Sequence, residues 1–352
     1  MTKISVIGAG SWGTAVALHL AKKKHDVTLW ETFPDYLKVL KAKRENVKFL
    51  PGIKFPDELV LTSDINLAVK DKDVIVIAIP SQYLKKVLEK IKGFDKKTIF
   101  VSLVKGLEEN TLLRISEMVK SVLGPIRNGS PKGDSTEMPG AIPISNGVNI
   151  TVLSGPSIAV EFAKDIPTTI VCAGEAKITK KIQEIFMGRN LRVYTNTDII
   201  GVELGGALKN IIAIACGISD GLGYGDNTKS ALMTRGLAEI SRLGIKMGAD
   251  PLTFAGLAGM GDMIVTCTSK HSRNRGVGEK IGKGETLNNI LKDMHMVAEG
   301  VWTVKSALKL AEKFAVEMPI TRAVYEILWE GKKPFDEVGE LMGRTPKEES
   351  IE

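Results

Sequence analysis

Residues 4–13 read ISVIGAGSWG, a short β-branched run that passes directly into a glycine-rich turn. Gly8, Gly10 and Gly13 give this turn the pattern G-x-G-x-x-G, and a helical pattern over 11–24 follows it. Between a strand and a helix, the first glycine permits a tight turn, the second lets the backbone approach a pyrophosphate, and the third allows close packing of helix on strand. The stretch therefore predicts a dinucleotide-binding βα unit. The alternative, a glycine-rich turn without a ligand, is disfavoured by this context.

Short apolar runs alternate with helical patterns through the first half of the chain. Runs of this kind suit a mostly parallel sheet with helices on both faces, as in a Rossmann-type domain. After Thr195 the chain shows long helical patterns instead. We therefore predict a Rossmann domain over 1–194, a helical domain over 195–343 and a frayed tail over 344–352. The predicted strands after the first lie at 26–31, 59–63, 73–80, 97–103, 150–155, 168–174 and 191–195.

Residues 124–150 interrupt this alternation with five glycines, four prolines and no helical or strand period. Such a composition is typical of a long surface loop. The ordinary interpretation is a tolerated mobile insertion, and a lid or a partner site is the alternative.

The composition is that of a globular protein of about two domains, with 352 residues, 43% hydrophobic and 25% charged. The formal charge of +7 is dispersed along the chain, so a nucleic-acid partner is not favoured. Cys172, Cys216 and Cys267 are odd in number and widely spaced, which indicates reduced thiols and a cytoplasmic location. The start of the chain lacks the apolar region of a signal peptide. The histidines show no metal-ligand spacing, so no metal is expected.

Glu31 ends the second predicted strand, about 20 residues after the glycines. An acidic side chain at this place can accept from the adenine ribose hydroxyls and would repel a 2′-phosphate, so NAD is slightly favoured over NADP. The alternative is a solvated carboxylate at a strand end. NADP stays possible because several cations follow: Lys38, Lys41, Lys43 and Arg44.

Lys209 is the only cation in the run IIGVELGGALKNIIAIACGI over 199–218. Burial would disfavour its charged form and lower its pKa toward the range useful for proton transfer. The alternative is a lysine whose stem lies on the apolar surface while its amine reaches water. Glu203, Lys209 and the glycines make a buried helix a better interpretation than a membrane span.

Three further segments contain candidate site residues: SLVKGLE (102–108), LSGPSIAVE (153–161) and GLAGMGDMIVTCTSKHSRNRGVG (256–278). Lys105 follows a strand end, where parallel sheets bind ligands, although an exposed loop lysine is the commoner case. Ser272 and Arg273 have the pattern of a helix cap and a first turn, which suits a phosphate. A basic helix start at the surface is the alternative.

Together with GAGSWG, ELGGALKN, VAEGVWT (297–303) and MPIT (318–321), these segments resemble the NAD(P)-dependent glycerol-3-phosphate dehydrogenase family over nearly the whole chain. The resemblance implies an all-α C-terminal domain of the 6-phosphogluconate dehydrogenase-like type. It also implies reversible reduction of dihydroxyacetone phosphate to sn-glycerol 3-phosphate, which feeds glycerophospholipid synthesis, in a cytoplasmic homodimer without an integral membrane segment. The sequence departs from the family in the 124–150 insertion and in ETF at 31–33, where many bacterial relatives carry an arginine suited to NADP.

The resemblance also assigns roles to single residues. Lys209 would be the proton donor and acceptor, Lys105 would hold and polarise the substrate carbonyl, and Asp262 would orient a lysine or a substrate hydroxyl. For Asp262 the alternative is a helix N-cap, and for the other residues it is ordinary cap, core or surface roles. The implied substrate residues are Lys105, Gly155, Ser157, Lys209, Asp262, Ser272, Arg273 and Asn274. The implied cofactor residues are Gly8, Gly10, Ser11, Trp12, Gly13, Glu31, Lys105, Ala159, Arg273, Val297 and Glu299.

Two other functions stay open at this point. One is a dehydrogenase of the same architecture that acts on a hydroxy acid or a nucleotide sugar. The other is a nicotinamide-binding regulator that has lost catalysis. The combination of both lysines with Ser272, Arg273 and Asn274 disfavours the first, because it suits a carbonyl and a phosphate. It also disfavours the second, because a sensor of NAD needs neither the lysines Lys105 and Lys209 nor a phosphate site.

Overall fold

The computed structural model describes residues 1–124, 147–294, 296–346 and 348–349. Most of the predicted loop over 124–150 and part of the predicted tail lie outside the described residues, as does His295. The chain divides into two compact units. Unit 1 comprises Met1–Ile79, Tyr83–Ser102 and Ile115–Thr151, and unit 2 comprises Pro80–Gln82, Leu103–Arg114 and Val152–Glu352.

Every strand that the sequence predicts is present within a few residues of its predicted bounds. Two further strands, β3 and β4, form a small antiparallel sheet that the sequence did not predict. Because β3 has only two residues and β4 contains Pro51 and Gly52, neither shows a strand period. The strands are β1 (Lys3–Ile7), β2 (Asp26–Trp30), β3 (Glu45–Asn46), β4 (Leu50–Lys54), β5 (Val60–Thr62), β6 (Val74–Ile77), β7 (Ile99–Ser102), β8 (Asn149–Ser154), β9 (Thr168–Ala173) and β10 (Leu191–Asn196).

Helices follow most strands in the first part of the chain and dominate the second part. The α-helices are α1 (Ser11–Lys22), α2 (Pro34–Lys43), α3 (Ile65–Val69), α4 (Ser81–Leu88), α5 (Ile115–Leu123), α6 (Ala159–Ala163), α7 (Ala176–Phe186), α8 (Ile199–Gly221), α9 (Asp226–Lys246), α10 (Pro251–Phe254), α11 (Asp262–Thr268), α12 (Arg273–Gly282), α13 (Leu287–Asp293), α14 (Glu299–Lys313), α15 (Pro319–Tyr325) and α16 (Pro334–Met342). Two π-helical turns lie at Leu257–Gly261 and Glu326–Glu330.

Apart from β3 and β4, the strands pair mostly in parallel, as predicted. In unit 1 the order is β7-β6-β1-β2-β5 with parallel pairing throughout. Residues of β1, β6 and β7 are buried on both faces apart from Lys3, which explains their continuous apolar sequences. In unit 2, β9 pairs with β10 in parallel and with β8 antiparallel. The prediction of a Rossmann-type sheet followed by a helical region is confirmed.

Helix α8 forms the centre of the hydrophobic core of unit 2, where it packs against α9, α11, α12 and α14. By length and composition this helix could cross a membrane, but its residues from Gly201 to Ser219 are buried inside the protein. It is therefore a core helix. Unit 2 includes β9 and β10, whereas the predicted boundary lies at 194. The units reflect density of contacts and the boundary reflects fold type, so the boundary stays a prediction.

Glycines let α8 and α12 approach each other to backbone contact. A Cβ atom on Gly217 would lie 2.0 Å from the carbonyl oxygen of Arg275, and one on Gly278 would lie 2.1 Å from that of Ile214. Larger residues would force the two helices apart. The glycines therefore set the spacing between the helix of Lys209 and the helix that Ser272 precedes.

Candidate active site

The glycine-rich turn of unit 1 has two glycines that the fold requires and one that it does not. Gly8 has a φ of +118°, and a Cβ atom there would lie 2.6 Å from the carbonyl oxygen of Ala78. A Cβ atom on Gly13 would lie 2.0 Å from the carbonyl oxygen of Gly8. Gly10 has an ordinary φ of −72° and open space around the position of a Cβ atom. The space at Gly10 fits the close approach of a ligand to the backbone.

Helix α1 begins at this turn and presents an N-terminus suited to an anion. Its first turn contains no acidic residue, and no side chain caps it. The N–H groups of its first turn and the positive end of its dipole thus fit a pyrophosphate. Ser11 is half-buried and its hydroxyl donates to the carbonyl oxygen of Phe49 at 2.5 Å, while Trp12 is half-buried. The residues present therefore fit a dinucleotide.

Glu31 follows β2 and is buried, with 5% of its surface exposed, so the alternative of a solvated carboxylate is wrong. Its Oε1 accepts from the backbone N–H of Phe33 at 2.9 Å. Burial raises the pKa of Glu31, while the backbone bonds and the charge of Lys48 lower it. Lys48 is not among the cations that the sequence pattern had indicated near Glu31. Among the cations considered there, Lys38 pairs with an aspartate, and Arg44 donates to backbone carbonyls.

In unit 2, Asp262 lies between two lysines. Its Oδ2 accepts from Lys105 Nζ at 2.6 Å, and its Oδ1 accepts from Lys209 Nζ at 2.8 Å. Asp262 and Lys209 expose 2% and 6% of their side chains and Lys105 exposes 18%. Thr266 accepts a further hydrogen bond from Lys209. We call Lys105, Lys209 and Asp262 the charge cluster.

The snorkelling interpretation of Lys209 is wrong, because its amine is buried and paired. The pKa of Lys209 is lowered to about 8, chiefly by burial and in part by the nearby charge of Lys105, while Asp262 acts in the opposite direction. An ammonium with this pKa exchanges its proton readily near neutral pH. The N-cap alternative for Asp262 does not hold either, since its carboxylate makes no cap bond and binds the two lysines.

Lys105 is directed by contacts on both its side chain and its backbone. Its Nζ donates to the carbonyl oxygen of Gly155 at 3.0 Å and to Ser157 Oγ at 3.2 Å. Its own carbonyl oxygen accepts from Asn210 Nδ2 at 3.3 Å. The predicted residues Gly155 and Ser157 thus lie beside the charge cluster. The sequence assigned no role to Asn210, the neighbour of Lys209. In the structure its side-chain amide fixes the backbone at Lys105.

Two glycines of the ELGGALKN motif let the elements of this site approach α8. A Cβ atom on Gly205 would lie 2.8 Å from the carbonyl oxygen of Ala258, in the π-helical turn that leads into Asp262. One on Gly206 would lie 2.6 Å from Ser154 Oγ, at the end of β8. The glycines thus allow the close approach of backbone that brings three sequence-distant side chains together.

The predicted phosphate residues have different environments. Ser272 caps α12, because its Oγ accepts from the N–H of Arg275 at 3.2 Å, as predicted. Arg273 is exposed and donates to the carbonyl oxygen of Val297 at 2.8 Å. Asn274 is buried, and its Nδ2 donates to Asn210 Oδ1 at 2.9 Å. Arg273 is therefore an exposed residue at a helix N-terminus, while the amide of Asn274 connects this region to Asn210.

Glu299, the first residue of α14, binds two residues that the sequence analysis missed. Its Oε2 accepts from Ser81 Oγ at 2.6 Å and from Gln82 Nε2 at 3.0 Å, and its Oε1 accepts from the backbone N–H of Ser81 at 3.0 Å. Burial raises the pKa of Glu299. Ala159 begins α6 and is half-buried. Only proximity in space could have revealed Ser81 and Gln82.

A buried ion pair anchors the segment of Lys105 to α8. Arg114 Nη1 donates to Glu203 Oε2 at 2.6 Å, and both side chains are at most 10% exposed. Glu108 accepts from the backbone N–H of Asn110 at 2.8 Å and also binds Thr111 in the same segment. These contacts restrict the loop whose lysine reaches Asp262.

The remaining candidates for chemistry are the cysteines and one cluster of carboxylates. All three cysteines are buried and form no disulfide. Within the described part of the chain, one group of carboxylates has a spacing that could suit a metal ion, namely Glu326, Glu337 and Glu340. The amine of Lys332 lies among them, with ion pairs of 2.9 Å to Glu326 and to Glu337. Lys332 thus offsets part of the negative charge of these carboxylates.

Comparison with family models matches the two parts of the chain. Residues 3–130 match the model of the NAD-dependent glycerol-3-phosphate dehydrogenase N-terminus, and residues 198–338 match the model of its C-terminus. The first match contains the glycine-rich turn, and the second contains Lys209 and Asp262.

Similar proteins extend the match to nearly the whole chain. A glycerol-3-phosphate dehydrogenase (NAD(P)+) of a Thermoanaerobacter species is 49% identical over 99% of this chain and 98% of its own length. The enzyme of the same name from Bacillus licheniformis is 48% identical, over 99% and 96%. Among solved structures, glycerol-3-phosphate dehydrogenase from Coxiella burnetii has a TM-score of 0.88 at 37% identity, covering 97% of this chain and 99% of that one.

Proposed function

The chain belongs to the NAD-dependent glycerol-3-phosphate dehydrogenase family and catalyses the reversible NAD(P)H-dependent reduction of dihydroxyacetone phosphate to glycerol 3-phosphate, and from this premise we propose how its residues perform the reaction. The observation that carries the proposal is the charge cluster, a buried carboxylate between two lysines of which one has a pKa lowered to about 8. The product would feed glycerophospholipid synthesis.

The dinucleotide would be held by the glycine-rich turn and the N-terminus of α1. Gly8, Gly10 and Gly13 would admit its pyrophosphate, with Ser11 and Trp12 beside it. When bound, NAD(P)H supplies the hydride that reduces the substrate carbonyl. In unit 2 the proposed cofactor contacts are Lys105, Ala159, Arg273, Val297 and Glu299.

Lys209 would give a proton to the carbonyl oxygen as that oxygen gains charge, and would take the proton back in the oxidation of the alcohol. Its burial and lowered pKa support this role, since a useful general acid or base has a pKa near the working pH. Lys105 would hold the same oxygen and polarise the carbonyl, because its ammonium stays beside Asp262. Asp262 would keep both amines oriented and make two neighbouring positive charges tolerable.

The substrate phosphate would bind at the start of α12. This ten-residue helix has no acidic residue in its first turn, and Arg273 is exposed there. Backbone N–H groups and a guanidinium together favour a phosphate dianion. Ser272 would cap the helix and Asn274 would connect the phosphate site to Asn210, while Gly155 and Ser157 would border the substrate beside Lys105.

Four finer points complete the proposal. We propose a slight preference for NAD, because Glu31 would repel a 2′-phosphate. We propose a homodimer, on the resemblance to the family, and a cytoplasmic location, because the three cysteines form no disulfide. We keep the division at residue 194 between the dinucleotide-binding and substrate-binding domains.

Kinetics with NADH and with NADPH against dihydroxyacetone phosphate test substrate and cofactor together. We expect turnover with both cofactors and a higher kcat/KM with NADH. Lys209→Ala should lower kcat by at least about a thousandfold while the Kd for NADH stays within about twofold. Lys280→Ala, at an exposed lysine on α12, is the matched control and should behave as wild type. Turnover of another ketone but not of dihydroxyacetone phosphate would refute the substrate, and substantial activity of Lys209→Ala would refute the proton-transfer role.

A further inference from the structure

Asn46 in β3 makes four hydrogen bonds although its side chain is wholly buried. Its Nδ2 donates to the carbonyl oxygen of Ala9 at 2.8 Å and to Thr14 Oγ1 at 2.7 Å. Its Oδ1 accepts from Tyr36 Oη at 2.6 Å and from the backbone N–H of Phe49 at 3.1 Å. These bonds use both donors and both acceptor positions of the amide. An amide with all its bonds made has one orientation only.

The bond to Ala9 controls the direction of the neighbouring N–H group. The carbonyl of Ala9 belongs to the same peptide unit as the N–H of Gly10. Because a trans peptide is planar, its C=O and N–H point in opposite directions, and holding the oxygen directs the hydrogen. Asn46 therefore holds the N–H of Gly10 on the side of the turn away from β3.

The segment around Asn46 also holds the helix side of the turn. Thr14, which receives the second donor bond, lies in the first turn of α1. Ser11 donates to the carbonyl oxygen of Phe49, three residues after Asn46. We call residues 46–49 the clasp. The clasp thus contacts the turn at Ala9 and helix α1 at Ser11 and Thr14, and all these residues lie in unit 1.

We propose that Asn46 is a positioning residue for the dinucleotide, which aligns the Gly10 peptide before the pyrophosphate binds. The inference rests on the proposed function, in which the turn receives the cofactor. A turn that is already aligned has less conformational freedom to lose on binding, and this raises affinity without any new contact to the ligand. Asn46 does not touch the reacting atoms, so it should affect binding and leave the chemical step unchanged.

The test compares Asn46→Asp with Tyr36→Phe in the full chain. Asn46→Asp keeps the shape of the side chain but removes both donors and places a carboxylate beside the carbonyl of Ala9. Tyr36→Phe removes one bond to Asn46 Oδ1 and the bond from the backbone N–H of Lys48, but leaves both donor bonds of Asn46 in place, so it is the matched control. The measurements are the Kd for NADH and for ADP-ribose by fluorescence titration, the KM for NADH, kcat at saturating NADH, the KM for dihydroxyacetone phosphate, and the Tm.

We expect Asn46→Asp to raise the Kd for NADH and for ADP-ribose by the same factor, about thirtyfold, with kcat and the KM for dihydroxyacetone phosphate unchanged. Tyr36→Phe should change both Kd values by less than about threefold. Unchanged affinity in Asn46→Asp would overturn the inference. An equal rise of the KM for NADH and the KM for dihydroxyacetone phosphate, together with a lower Tm, would also overturn it, because this result is the signature of a merely structural role.

A second variant covers a failure of Asn46→Asp to fold. Asn46→Ser is neutral and smaller, keeps one donor, and should give a Kd for NADH between those of wild type and Asn46→Asp. A wild-type Kd in folded Asn46→Ser would overturn the inference. If the wild-type protein bound neither NADH nor ADP-ribose, the proposed cofactor role of the turn would fail and this inference with it. If the wild-type protein bound NADH normally and the Asn46 variants bound it equally well, this inference would be wrong while the proposed function stood.

Discussion

The glycine-rich turn of unit 1 and the charge cluster of unit 2 solve different problems in opposite ways. The turn spans six consecutive residues, from Gly8 to Gly13, and offers backbone N–H groups with no charged side chain. The charge cluster joins Asp262 to Lys209, 53 residues away, and to Lys105, 157 residues away. Binding of a pyrophosphate needs donors held in place, whereas proton transfer needs a charge with a shifted pKa. The first is supplied by backbone, and the second requires buried side chains.

The two regions should consequently fail in different ways. In the turn, added atoms are the danger, because its function depends on the absence of side chains at three glycines. In the charge cluster, lost charge is the danger, because each buried ion is tolerable only while its partner is present. Variants that add a methyl group or neutralise a charge therefore distinguish the two kinds of site.

After Lys209→Ala, the variant Asp262→Asn should have the largest effect. The change leaves two lysines near each other in a buried place without the carboxylate that offsets them, so we expect kcat to fall by about a thousandfold. Since Asp262 raises the pKa of Lys209, its neutralisation should also move the pH midpoint of the remaining activity below 8. Steady-state kinetics across pH 6 to 9 measure both effects. Asp293→Asn, at an exposed aspartate, is the control, and a midpoint at or above that of wild type would contradict the interaction.

Gly10→Ala and Gly13→Ala break the turn in two distinguishable ways. At Gly10 an alanine fits the backbone conformation and meets no neighbour, so the Tm should be unchanged while the KM for NADH rises by about a hundredfold. At Gly13 the added atom meets the carbonyl oxygen of Gly8, so the Tm should fall. Thermal melts and NADH titrations separate the cases. A lower Tm in Gly10→Ala together with normal NADH binding would show that Gly10 serves the fold alone.

The sequence revealed the turn more completely than the charge cluster, for a physical reason. The turn is local, so the strand, the glycines and the helix start appear in one continuous stretch. The strand order and the helical region also follow from local patterns. The role of Lys209 could not be settled from its own helix, where a snorkelling lysine and a buried one have the same sequence. Its assignment came from the resemblance to a family.

What the sequence could not show depends on contacts between distant residues. Asn46, Ser81 and Gln82 carry no motif, and their importance lies in bonds to Ala9 and to Glu299. The small β3–β4 sheet was missed for a related reason. A two-residue strand has no period, although its only buried residue, Asn46, holds the turn that the sequence identified most clearly.

The pH dependence of the two reaction directions sharpens the comparison at the charge cluster. Reduction requires protonated Lys209, and with a pKa of about 8 its rate should be flat below pH 8 and fall by about tenfold per pH unit above it. Oxidation requires the neutral amine, so its rate should rise by about tenfold per pH unit up to pH 8 and then level. Measuring kcat in both directions from pH 6 to 10 checks the pair. If kcat changed with pH in the same sense for reduction and for oxidation, a single group acting as acid and base would be excluded.

Glu31→Gln should have the smallest effect, and it tests the one charged side chain assigned to the cofactor in unit 1. The carboxylate opposes a 2′-phosphate only in part, because it is bonded to the backbone N–H of Phe33 and Lys48 carries the opposite charge nearby. We expect the ratio of kcat/KM for NADH to that for NADPH to fall by about fivefold, with little change in kcat. Asp35→Asn removes a neighbouring but exposed carboxylate and should leave the ratio unchanged. An equal shift in both variants would mean that the general charge of this surface, and not Glu31, selects the cofactor. The choice of cofactor would then depend on charges dispersed over the surface, in contrast to the charge cluster, where three named side chains act together.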